Sequence, residues 1–121
     1  MYPPIFVTCK AVSAVTDLIG TSPMRLYQFG KAPQGVSKPY AVWRSISGGP
    51  ENYISNVPDH DLYAIQVDVY DATDAGARAV AQALRDAIEP VAHITRWGGE
   101  SIDPETGSYT YSFDIDWHVS R

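Results

Sequence analysis

Six large apolar residues, Tyr109, Tyr111, Phe113, Ile115, Trp117 and Val119, alternate with Thr110, Ser112, Asp114, Asp116 and His118 near the end of the chain. An extended chain places successive side chains on opposite sides, so the apolar set shares one face and the polar set the other. A helix would scatter both sets around its axis. The segment is therefore predicted to be a half-buried strand of an antiparallel sheet. The remainder of the chain has to supply its neighbours and a layer over its apolar side.

Other segments read as those neighbours. Residues 61–71 alternate again, with Tyr63, Ile65, Val67 and Val69 on one side and Gln66 and Asp68 on the other. Residues 40–47 are aromatic and β-branched. Tyr40, Val42, Arg44 and Ile46 point one way, and Ala41, Trp43 and Ser45 the other. Both sides carry large apolar groups, so this strand reads as one that could be buried on both faces. Residues 24–29 and 93–97 are read as two shorter strands. Residues 48–60, rich in Gly, Pro and Asn, form the longest irregular stretch. With its flanking strands it reads as a long-loop hairpin, and loops of that length are often functional. Residues 98–107 are read as a turn region, with Asp103-Pro104 and Thr106-Gly107 as its markers.

Two segments carry a helical period. Ile5, Cys9, Val12, Val15 and Ile19 recur at steps of four and three after Pro3 and Pro4, and Gly20 follows as a stop. The spacing predicts one amphipathic helix over residues 5–19. Thr73 is a plausible N-cap with Asp74 in the first turn, and Glu89-Pro90 ends a second helix. Its buried stripe is expected to be Ala77, Val80, Ala81, Leu84 and Ile88. The alanines let a helix lie close on a sheet. The expected order is α-β-β-β-α-β-β. That is an α+β two-layer sandwich: a mostly antiparallel sheet of four to five strands with two helices packed on it.

Length permits one domain, residues 1–121, large enough to build a core without a disulfide. Hydrophobic residues at 45% and charged residues at 19% argue against disorder. Cys9 is the one cysteine and falls on the apolar helix face, where a buried inert thiol is expected. No apolar run reaches the roughly 18 residues of a membrane span. Residues 1–7 hold no basic cluster before an apolar run, so no signal peptide is read and folding in a reducing cytoplasm is expected. The net charge is −5 and uneven: +2 over residues 1–60 and −7 over residues 61–121. An acidic domain lacks the footprint of a nucleic-acid binder.

No complete catalytic set emerges. Asp114 and Asp116 share a strand face, and Asp68 could join them. Three carboxylates could hold Mg²⁺ for phosphoryl hydrolysis, but a solvated polar face explains them as well. His60, His93 and His118 lack the spacing of a helical zinc pair. No metal and no cofactor are expected. Gly-x-Ser-x-Gly does not occur, and Ser47-Gly48-Gly49-Pro50 does not open a helix. Arg44 beside Trp43 and Arg96 beside Trp97 suggest ring stacking or core packing rather than base recognition. Tyr53, Ile54 and Val57, apolar residues within the irregular stretch, either fold back on the domain or anchor a partner.

Taken together, several segments resemble one family. They are Lys38-Pro39-Tyr40-Ala41-Val42-Trp43 opening a strand, and Gln66-Val67-Asp68-Val69-Tyr70 before a helix that carries Ala79, Leu84 and Arg85. The N-terminal helix and the closing aromatic strand complete the pattern. The chain resembles the tail terminator (tail completion, head–tail joining) proteins of long-tailed bacteriophages, the family of the lambda tail terminator. The resemblance implies a structural virion protein with no enzymatic activity. It implies a homohexameric ring on the head-proximal end of the tail tube, which ends tube polymerisation and gives the neck a surface. Implied partners are copies of itself, the tail tube protein and a neck or stopper protein. DNA would pass through without specific binding, and no membrane would be involved. Ring or tube contacts are expected at Tyr53, Ile54 and Val57 and in the loop with Gln34, Val36 and Lys38. Asp68, Asp114 and Asp116 are candidates for an acidic lumen face. Alternatives are another neck, connector or stopper protein and, further off, a metal-dependent hydrolase.

Overall fold

Period-two alternation places the middle of the sheet. The computed structural model describes residues 3–50 and 60–120, with backbone alone at 47–50 and 60. The strands are β1 (Leu26–Gln28), β2 (Tyr40–Pro50), β3 (His60–Asp71), β4 (His93–Ile102) and β5 (Tyr109–Ser120). They form one sheet in the order β1-β2-β3-β5-β4. Strand β1 runs parallel to β2, and every other pair is antiparallel. The cleanest alternation thus belongs to β3 and β5, which lie inside the sheet with a partner on each side. Cross-strand rows such as Trp43–Val67–Phe113 and Ala41–Val69–Tyr111 point into the core.

Among the described residues three helices make the second layer: α1 (Ile5–Lys10), α2 (Ser13–Ile19) and α3 (Asp74–Ile88). Helix α3 lies on β3 and β5, and α1 and α2 pack against α3 and each other. The N-cap of α3 is Thr73, whose Oγ1 accepts the Gly76 N–H at 3.0 Å. The expected stripe of Ala77, Val80, Ala81, Leu84 and Ile88 is buried. Ala83 and Ala87 are buried too, because α1 and α2 press on a helix already seated on the sheet. The α+β two-layer arrangement and the element order are as expected from the sequence.

The differences have physical causes. The single helix expected over residues 5–19 is broken where Val12 takes an extended conformation, φ −110° and ψ 116°. Val7, Thr8, Val12, Ser13, Val15 and Thr16 are weak helix formers, so packing of Ile5 and Cys9, then Val15 and Ile19, decides the path. Strand β2 is buried on one face only, with Ala41 and Trp43 inward and Arg44 and Ile46 exposed. Gly48 and Gly49 lie in β2, opposite Tyr63 and Leu62, so the strand reaches into the stretch expected to be irregular. Strand β4 does not stop at Trp97. It continues through Gly98 and Gly99 with register shifts between Ile94 and Arg96 and between Arg96 and Gly99. Gly98, at φ +93°, supplies the positive φ that such an irregularity needs.

Cys9 is fully buried in the core, and burial pushes its thiol up to about 12 from an ordinary 9.0. At pH 8 the folded protein is expected to resist a thiol reagent, while one thiol reacts after denaturation. Rapid labelling of the folded chain would contradict this burial. The sign of the linkage is also set. The folded state holds the neutral thiol longer than the unfolded chain does. This contribution to stability is complete below pH 9 and is lost as pH rises towards 12.

Candidate functional site

Among the described residues no helix covers the other face of the sheet, and its side chains form cross-strand rows. One row runs Arg44, Gln66, Asp114, Arg96; the next holds Asp68 and Ser112. Arg44 Nη2 donates to Gln66 Oε1 at 3.1 Å, and Gln66 Nε2 donates to Asp68 Oδ1 at 3.0 Å. Ser112 Oγ also donates to Asp68 Oδ1. Arg96 grips Asp114 through two bonds of 3.0 Å, from Nε to Oδ2 and from Nη2 to Oδ1. Those bonds, with desolvation opposing, raise the Arg96 guanidinium above its ordinary value. A forked pair of this kind fixes both side chains.

At one end of the face Tyr40 and Tyr70 stack, with ring centroids 5.0 Å apart. Burial raises both phenols, and the charges of Asp103 (on Tyr40) and of Asp68 and Asp103 (on Tyr70) add to it. At the other end His93 meets His118 edge-on at 6.2 Å.

The structure brings Asp68, Asp114 and Asp116 to one face, as expected, but does not gather them into a metal site. Asp68 is held by Gln66 and Ser112, and Asp114 is committed to Arg96. Among the described residues no group of three or more His, Cys, Asp or Glu is placed to hold a metal ion. The neighbours Arg96 and Trp97 do not stack. Successive strand residues face opposite ways, so Arg96 joins the polar face while Trp97 packs on Phe113 and Tyr111. The cation over Trp97 is Arg85 of α3, 4.7 Å from the ring centroid. Trp43 is a core residue.

Of the expected contact residues, Gln34 and Lys38 are exposed and Val36 is half-buried. They line a shallow groove with Tyr40, Thr106 and Ser108, so this loop lies beside the β4–β5 turn. Tyr53, Ile54 and Val57 lie outside the described residues.

A groove at the β4 edge was not foreseen. Ala77 and Arg78 from α3, Glu100 and Ile102 from β4, and Tyr109 and Tyr111 from β5 enclose about 270 Å³. Arg78 bridges Asp74 of its own helix at 3.4 Å and Glu100 at 3.0 Å. The expected turn at residues 98–107 hid this groove, because Glu100 and Ile102 belong to an edge strand. The signal available was the run of alternating size beyond Gly99.

The fold defines an α+β two-layer domain with an uncovered sheet face and a groove at one sheet edge. The model of the family described as tail completion protein gp17 matches residues 3–120, and the chain belongs to that family. It is thus a tail completion protein, a structural component of a phage-type virion. Two solved structures share the fold. One, from the virion of a native gene transfer agent particle, has 17% identity and a TM-score of 0.70, covering 97% of this chain and 92% of its own. The other, bacteriophage SPP1 gp17, has 11% identity and a TM-score of 0.59, covering 97% and 86%. No curated protein matches the chain.

Proposed function

We propose that six copies of this chain close into a ring on the head-proximal end of the tail tube. The ring stops tube growth and presents the surface to which the neck or stopper protein binds. The observation that carries this reading is membership of the tail completion family across residues 3–120. A 13.3 kDa subunit is too small to enclose a passage alone and needs copies of itself to do so. In this reading the chain performs no catalysis. It joins the virion tail during assembly in the host cytoplasm.

The uncovered face is the part turned to the DNA. Asp68, Asp114 and Asp116 share it, and its arginines Arg44 and Arg96 are tied to Gln66 and Asp114. Phosphates passing such a wall meet three carboxylates against two guanidinium groups, one of them paired with Asp114, so repulsion prevails and DNA slides without lasting contact. Gln34, Val36 and Lys38, with Tyr53, Ile54 and Val57, contact a neighbouring copy or the tube.

Sedimentation of the protein, alone and mixed with tail tubes, tests the reading. A ring-sized species, free or bound to tubes, is expected. A strict monomer that also leaves tubes unbound would contradict it.

A further inference from the structure

The two outer strands of the sheet differ in length, shape and charge. Strand β1 is three residues long and is followed directly by Phe29, an aromatic residue 67% exposed. The segment around it is basic: residues 18–46 contain Arg25, Lys31, Lys38 and Arg44 and no carboxylate. Strand β4 is ten residues long, pairs on one side only, and borders the groove against α3. The segment around it is acidic: residues 86–105 contain Asp86, Glu89, Glu100, Asp103 and Glu105 against one cation, Arg96. The groove offers an apolar floor of Ala77, Tyr109 and Tyr111, with Ile102 standing 57% exposed at its rim beside Glu100. An exposed aromatic near a lysine at one edge thus matches an apolar socket at the other, whose rim carries Asp74 and Glu100 against the single cation, Arg78, that bridges them.

We propose that these edges bind each other between copies: Phe29 and Lys31 of one subunit enter the α3–β4 groove of the next, Phe29 against Ile102 and Lys31 beside Glu100. The inference rests on the ring reading and names the surfaces that close the ring. Knob and socket lie on opposite outer strands, four strand spacings or about 19 Å apart across the sheet, so a subunit cannot satisfy its own groove. Each bound pair leaves one free knob and one free socket. Association is therefore head-to-tail and saturates only by closing. Opposite charge on the two edges favours this register and disfavours like edges meeting.

Two half-dead variants test it. Phe29→Asp removes the knob and Ile102→Asp removes the socket. Both change exposed side chains, and circular dichroism and thermal unfolding check that each still folds. Each alone is expected to self-associate at least about tenfold more weakly than the natural protein. Mixed in equal amounts, they are expected to give a one-to-one dimer, since the intact knob of one meets the intact socket of the other. Charge reversal gives an independent arm: Lys31→Glu and Glu100→Lys each weaken association, and the double variant recovers it. Rings formed by either half-dead variant alone, or a mixture that stays monomeric while the natural protein forms rings, overturn this interface and leave the ring reading standing. A natural protein that never associates, even on tail tubes, overturns both.

Discussion

Phe113→Ala is expected to cost the domain about 3–5 kcal/mol, a large part of the 5–15 kcal/mol typical of a single domain. Phe113 is fully buried in β5, one of the three strands with partners on both sides. It sits opposite Val67, which in turn faces Trp43, and its ring lies 5.3 Å from that of Trp97. Removing it opens a cavity where three strands and the bent edge strand meet, a place with little freedom to collapse. The midpoint of denaturant unfolding should fall with the slope unchanged. A loss below about 1 kcal/mol would mean that this face of β5 is not the core.

Ala81→Leu is expected to destabilise by about 1–3 kcal/mol, through crowding rather than a void. Ala81 is fully buried on α3, among the small residues that seat the helix against the sheet. Three added carbons would push α3 outward, and α1 and α2 ride on α3. Denaturant titration of the variant checks this. A neutral or stabilising result would reveal unfilled space beneath α3.

Residues whose neighbours are fixed by period alone were legible. Tyr109 to Val119, Tyr63 to Val69 and the α3 stripe each announce one buried face, and each is buried apart from Tyr63 and Tyr109, which are half-buried. Features that depend on a partner distant in sequence were hidden. Nothing local shows that Gly98 and Gly99 sit inside a strand, because it is β5 that holds them there. The break at Val12 lies between two helices that both pack on α3, far along the chain. Asp68, Asp114 and Asp116 share one face, and the state of Asp68 and Asp114 depends on Gln66, Ser112 and Arg96. The α3–β4 groove combines three elements and has no period of its own.

The central claim is that this subunit closes into a ring and caps the tube. Negative-stain imaging of tail tubes assembled with and without the protein tests it most directly. The account predicts rings of six subunits seated at one end of each tube, and tubes that stop growing once capped. Tubes with bare ends that elongate equally in its presence would contradict it.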